Sequence, residues 1–252
     1  WDGETASATQ SKPALGERTV KLNKLRCLVP ITEELLEDAA ALDSYLRKKA
    51  PQKILFKVNF GIVQGTGVGM PVGLLNAGAK VQVAKESGQV TGTVIANNVI
   101  KMYNRLYGPS RSTAVWLYNQ ELEPQLFNLS MPGRDNTGAP VTNWGALLWM
   151  PAGGLSGSPY STLFGRPMIP TQACSSLSTE GDIIFADLSQ YMALLKSGPN
   201  PRLDVSMHLW FDQDLTAYKF TLRLGGQPWW TTPATPLAGS NTYSTIVTLQ
   251  SR

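Results

Sequence analysis

Catalysis needs groups that move protons, attack electrophiles or hold metals, and this 252-residue chain offers few of them in usable arrangements. Its single histidine, His208, stands between Met207 and Leu209 on an alternating stretch. That placement reads as a structural residue and leaves no second imidazole for a multi-histidine metal site. Gly154-Leu155-Ser156-Gly157-Ser158 approaches the G-x-S-x-G elbow of serine hydrolases, but the last glycine is absent and no strand pattern precedes it. Residues 73–78 have P-loop glycine spacing, yet Ala79 occupies the lysine position, Lys80 comes one residue late, and Val81 replaces the Ser or Thr that would hold Mg²⁺. Asp182 and Asp187 flank an apolar strand, one at its start and one at the following turn, with no acid–base constellation around them. Cys27 and Cys174 are too few for a disulfide framework and too isolated for zinc, so both read as reduced, half-buried thiols. The residue inventory therefore implies no catalytic centre, no cofactor and no metal.

The elements that surround these residues are those of a globular chain with an uncharged surface. Hydrophobic residues make up 42% and charged residues only 16%, against roughly 25% charged in an ordinary soluble domain. With 23 Gly and 17 Pro, turns are frequent without reaching low-complexity levels. The net charge of +4 is too mild for a protein that grips nucleic acid by sequence. No apolar run approaches the ~18–20 residues of a membrane span. Val20, Leu22 and residues 27–29 predict a strand ending at Pro30, followed by a helix with Thr32 as N-cap and an Ile31–Leu36 staple. Glu33, Glu34, Glu37 and Asp38 load its start, while Arg47, Lys48 and Lys49 load its end, each complementing the helix dipole. Leu35, Leu42 and Leu46 supply an apolar face, and at Pro51 the helix either kinks or restarts and runs on to about Val63. The glycines at 65, 67 and 69 follow a helix instead of opening one, so they end it, with Gly65 or Gly67 left-handed and Gly73 the more tolerant position. Further on, the pattern predicts a helix over 96–107, a short helix over 120–127, and strands over 114–118, 146–150, 182–186, 203–211, 216–224 and 245–249. The 203–211 and 216–224 pair reads as a hairpin.

Residues 136–165 and 225–251 carry no charge and hold Trp144, Trp149, Trp229 and Trp230. They are either an uncharged core with its turns or surface covered by neighbouring subunits. The basic group Arg47, Lys48, Lys49 and Lys53 is either a solvated helix terminus or a set of contacts to DNA phosphates.

The order of four motifs resembles the major capsid proteins of tailed bacteriophages. Leu25-Arg26-Cys27-Leu28-Val29-Pro30-Ile31-Thr32-Glu33-Glu34-Leu35-Leu36-Glu37-Asp38 looks like the start of that family's long spine helix, and residues 65–74 resemble its G-x-G-x-G-x-P-x-G-L turn. Leu163-Phe164-Gly165-Arg166-Pro167-Met168-Ile169-Pro170, then Gly181-Asp182-Ile183-Ile184-Phe185-Ala186-Asp187, resemble its G-x-P-(V/I)-x segment and G-D-(I/L) strand; Arg223, Gly226, Gln227 and Pro228 fit its tail hairpin. The resemblance implies an α+β capsid fold with spine helix, β-hairpin peripheral domain, axial domain and extended loop. Residues 1–18 would be part of the extended loop, 19–76 and 203–226 the peripheral domain, and 77–202 with 227–252 the axial domain. An N-terminal arm and the outgoing half of the loop are expected ahead of Trp1. The implied function is an icosahedral shell around double-stranded DNA, built from pentamers and hexamers of this chain. Scaffolding, portal and decoration proteins are implied as partners. The site would be the virion capsid, after synthesis in the host cytoplasm. An encapsulin-like shell around a cargo enzyme is the nearest alternative; a hydrolase centred on Ser156 is the rival from another class.

Overall fold

The computed structural model describes residues 16–39, 41–129, 133–134, 140–141, 148–150, 161–198 and 201–252. In β1 (Asn23–Thr32) alternate residues take opposite sides of the strand: Leu25, Cys27, Val29 and Ile31 turn inward, while Lys24, Arg26, Leu28 and Pro30 turn to solvent. β1 pairs antiparallel with the long β12 (Leu215–Pro228) from Asn23↔Leu224 to Thr32↔Leu215. This register places Tyr218, Phe220, Leu222 and Leu224 on the same inner face. The other edge of β12 is shared by β10 (Tyr191–Leu195) and β11 (Arg202–Trp210).

A helix covers that apolar face. In α2 (Leu42–Gln64), Leu42, Leu46, Ala50, Ile54 and Val58 recur every fourth residue and pack on the inner sheet residues. Fully burying a side chain such as Phe220 is worth roughly 1.5–3 kcal/mol. Three sequence expectations are corrected here. The break comes early, between α1 (Glu33–Asp38) and α2, where Leu42 N–H bonds to Ala39 C=O at 2.8 Å. Pro51 lies inside α2, neither kink-ended nor restarted. Its missing N–H deprives only the Arg47 carbonyl, and burial of Ala50 and Ile54 on either side holds the helix across that gap. Thr32 makes no side-chain cap; the Glu33 N–H donates instead to Asp214 C=O at 3.0 Å, in the turn between β11 and β12.

The second sheet is also open and has seven strands. Its order is β2 (Val81–Val83), β13 (Ile246–Leu249), β9 (Ile183–Ala186), β3 (Val115–Tyr118), β8 (Arg166–Pro170), β7 (Thr162–Leu163) and β6 (Trp149–Met150). All four residues of β9 are buried because both faces are covered. On one face lie α3 (Ala96–Arg105) and α4 (Glu123–Phe127): Val99, Met102 and Leu126 pack around Trp116 and Phe185, whose rings stack at 4.0 Å. On the other face Leu117, Ile184 and Ile246 meet Val63 and Leu74, so the C-terminal end of α2 belongs to this second core. β4 (Gly133–Arg134) and β5 (Pro140–Val141) form a separate two-stranded ladder. Of the strand expected over 146–150, residues 148–150 are described and contain β6.

Candidate assembly surfaces

The glycine turn after α2 is the joint between the two sheets. α2 ends at Gln64, and Gly65 is extended (φ −57°, ψ 138°), so of the two glycines expected to be left-handed only Gly67 is. Glycine is needed at 65 for closeness: a Cβ would meet the carbonyl oxygens of Gly61 and Pro71. At Gly73 a Cβ would strike the Gly65 nitrogen and lie 2.7 Å from Val63 O, so Gly73 is not the tolerant position either. Gly67 and Gly69 do take positive φ, +84° and +68°, and the space around Gly69 is open. Cross-ties then pull both sheets onto the turn: Val72 N–H donates to Gly226 C=O (2.9 Å), Tyr191 O–H to Val72 C=O (2.9 Å), and Gln64 Nε2–H to Ala173 C=O (2.6 Å). Burial pushes the Tyr191 phenol up to about 12.

Among the described residues, the glycines and aspartates that resembled catalytic parts have structural roles. Residues 74–76 form a 3-10 turn, and Gly78 packs where a Cβ would lie 2.6 Å from Thr231 O, so glycine spacing there serves close packing and makes no phosphate cradle. Asp187 Oδ1 accepts from the Ser189 N–H (3.1 Å) and O–H (2.7 Å) and closes the turn after β9. Asp182 is part of a buried ion pair the sequence did not disclose. Both its oxygens accept from Arg252, Nη1 at 3.2 Å and Nη2 at 2.5 Å, with both side chains 0% exposed. Arg252 Nε also donates to Thr93 C=O at 2.5 Å. Both cysteines are free; burial, with the Asp182 charge nearby, pushes the Cys174 thiol up to about 12, so it stays an inert thiol. His208 is exposed on β11, not packed as the alternation suggested, because this part of the strand runs past the helix-covered face. Ser156 and its surrounding glycines lie outside the described residues. Among the described residues no group of three His, Cys, Asp or Glu is placed to hold a metal, and no helix is long and apolar enough to cross a membrane.

What the structure does present is surface. At the far end of the hairpin Val205, Met207, Leu209 and Phe211 are all exposed, Phe211 to 77%. The pairing slips between Ser206 and Trp210, which lets Met207 and Leu209 stand off the ladder. Of the four tryptophans, Trp144 lies outside the described residues and Trp149 is in the subunit's own core, edge-on to Phe127 at 4.4 Å. Trp230 is half-buried against Tyr107, while Trp229 is 56% exposed. Arg47, Lys48, Lys49 and Lys53 are all exposed, but they lie within α2 and not at its end, so they complement no helix dipole. Lys49, Lys53 and Lys57 recur every fourth residue as a solvent-facing row. Arg47 bonds Asp43 at 2.7 Å and so holds the Asp43 carboxyl below the usual carboxylate range.

The opposite, solvent side of the first sheet is a basic groove of about 410 Å³ lined by Lys24, Lys196, Arg202, Lys219 and Arg223 around Asp204. Lys219 (3.1 Å) and Arg202 (2.8 Å) bond Asp204 and hold its carboxyl below the ordinary range. Sequence reading missed this groove because its members come from three distant segments that only the β1–β12–β11 register brings side by side.

Comparison with known proteins follows the same lines. The model of the phage capsid family matches residues 1–237. Among solved structures, the capsid of a native GTA particle superposes with a TM-score of 0.71 at 17% identity, covering 99% of this chain and 79% of that one. The structure of Gordonia phage Cozz gives 0.60 at 13% identity, over 98% and 76% of the two chains. The holo-SrpI encapsulin complex from Synechococcus elongatus gives 0.58 at 14%, over 91% and 74%. No curated protein matches the chain by sequence. At such identities the structural likeness carries the fold, which is the α+β capsid fold with open sheets.

Proposed function

The chain belongs to the phage capsid family, and from that premise we propose that it is a major capsid protein that self-assembles into an icosahedral shell around the double-stranded DNA of a tailed phage. Pentamers and hexamers of this chain make up the shell, and scaffolding, portal and decoration proteins join it during assembly. Residues 19–76 and 203–226 act as the peripheral domain, 77–202 and 227–252 as the axial domain, and 1–18, of which 1–15 lie outside the described residues, as part of the extended loop.

The observation that supports this reading most is the apolar end of the hairpin, Val205, Met207, Leu209 and Phe211, with Trp229 exposed at the end of β12. A free subunit would leave these side chains in water, whereas shell contacts cover them. Such a surface needs no active site. Arg47, Lys48, Lys49 and Lys53 face the genome from the solvent side of α2; few contacts and a net charge of +4 suit weak, sequence-blind binding that leaves DNA free to pack.

An encapsulin-like compartment is the second reading, because an encapsulin shares the fold over 91% of this chain. The contents of purified particles separate the two. Nuclease-protected double-stranded DNA of uniform length supports the phage shell. A stoichiometric enzyme cargo without DNA would replace it with the compartment.

A further inference from the structure

The basic side of the first sheet and the acidic helix α1 are complementary surfaces that one molecule cannot bring together. On the sheet, Lys24, Arg26 and Arg223 are exposed and form no ion pair among the described residues. Leu28 and Leu194 on the same side are about half exposed, so the face is mixed, apolar beside cationic. α1 has the matching composition: Glu33, Glu34, Glu37 and Asp38 are exposed and form no ion pair among the described residues, and Leu35 is 50% exposed between them. α1 leaves the sheet at Thr32, nine residues along from Lys24 to Glu33, which at ~3.3 Å per strand residue is about 30 Å. Intramolecular pairing with Lys24 or its register partner Arg223 is therefore out of reach.

Resting on the shell reading, we propose that the basic sheet face of one subunit is the docking surface for the acidic helix α1 of a neighbouring copy, a head-to-tail contact of the kind that closes a ring. One feature favours this occupant over the DNA backbone. The half-exposed Leu28 and Leu194 beside the cations match Leu35 of α1 and have no use against a sugar–phosphate chain. The contact sets register and partner choice through charge, with the leucines excluding water.

The test is charge reversal in the full-length protein, read by sedimentation velocity and negative-stain microscopy over a range of concentrations. Lys24→Glu with Arg223→Glu, and separately Glu34→Lys with Glu37→Lys, should each raise the concentration needed for assembly by about tenfold or more. All four changes together should bring it back to within about threefold of the parent, because the attraction is restored with its sign exchanged. The milder pair Lys24→Gln and Arg223→Gln guards against misfolding and should weaken assembly while flattening its salt dependence. Unchanged subunit melting temperatures confirm that the fold is kept. A fourfold variant that assembles no better than either pair overturns the proposal, as does a sheet reversal that leaves assembly intact and lowers only the DNA retained. Failure of the unaltered protein to assemble would instead strike at the shell reading itself.

Discussion

Replacing Arg252 by Met should cost more than any exposed ion pair in the molecule, because it strands a charge in the core. Asp182 is 0% exposed and receives two hydrogen bonds from Arg252, at 3.2 and 2.5 Å, with the Ser178 N–H as its remaining donor at 3.1 Å. Breaking a buried pair from one side costs about 3–5 kcal/mol, most of it the penalty of the unpaired charge left behind. The Thr93 carbonyl loses its donor as well. At about 2–4 °C per kcal/mol for a chain of this size, the melting temperature of the unassembled subunit should fall by about 6–20 °C. Asp182→Asn combined with Arg252→Met should cost less than the sum of the two single changes, since removing both charges relieves the stranded one. Lys80→Met serves as the reference, because the Lys80–Glu180 pair at 2.6 Å is partly exposed and should be worth no more than about 1 kcal/mol. Urea and thermal unfolding measure all four proteins. A loss below about 1 kcal/mol for Arg252→Met, equal to that of Lys80→Met, would refute the reasoning.

The glycine turn gives a second ranking: Gly65→Ala and Gly73→Ala drive a Cβ into backbone and should cost about 3 kcal/mol or more, while Gly69→Ala, with positive φ but open space, should cost about 1–2 kcal/mol. Equal unfolding midpoints for the three would contradict it. Alkaline stability follows from Cys174, Tyr118 and Tyr191, whose folded values near 12 lie above the unfolded ones of about 8.5 for a thiol and 10 for a phenol. Their contribution is whole below the unfolded values and is lost as pH rises through 12, so urea midpoints should fall from about pH 9 upward, and a midpoint level up to pH 12 would count against it. Met207→Lys with Leu209→Lys should leave the subunit folded, since both side chains are exposed, and raise the assembly concentration by about tenfold or more through lost burial; unchanged sedimentation would exclude the hairpin end from the interface. Neutralising Arg47, Lys48, Lys49 and Lys53 in intact shells should lower DNA retention and weaken its salt dependence, whereas unchanged retention leaves those residues as a solvated helix face.

Much of the fold was legible because it is local. A strand before the first helix, a helix from 96 and the hairpin all follow from period and turn chemistry within a short window, although the strand runs past Pro30 to Thr32 and the helix stops at Arg105. The errors came where distant segments decide. Pro51 reads as a breaker until the sheet that buries Ala50 and Ile54 is in place. Gly65 reads as a possible left-handed stop and Gly73 as the more tolerant position, yet each is required by backbone that returns from several residues away. Asp182 looked like a strand start because its partner Arg252 lies 70 residues on. The basic groove needed the register of β1, β12 and β11, which composition does not encode. The tryptophans show the limit of reading charge-free stretches as one class: Trp149 went into the core and Trp229 to the surface.

The central claim, that this chain builds a closed shell, is tested most directly by negative-stain microscopy with sedimentation of the full-length gene product. Hollow icosahedral particles, or capsomers that convert to them, should form, with subunits folded throughout. A monodisperse, folded monomer that stays so at high protein concentration and in the presence of its own scaffolding factors would contradict it.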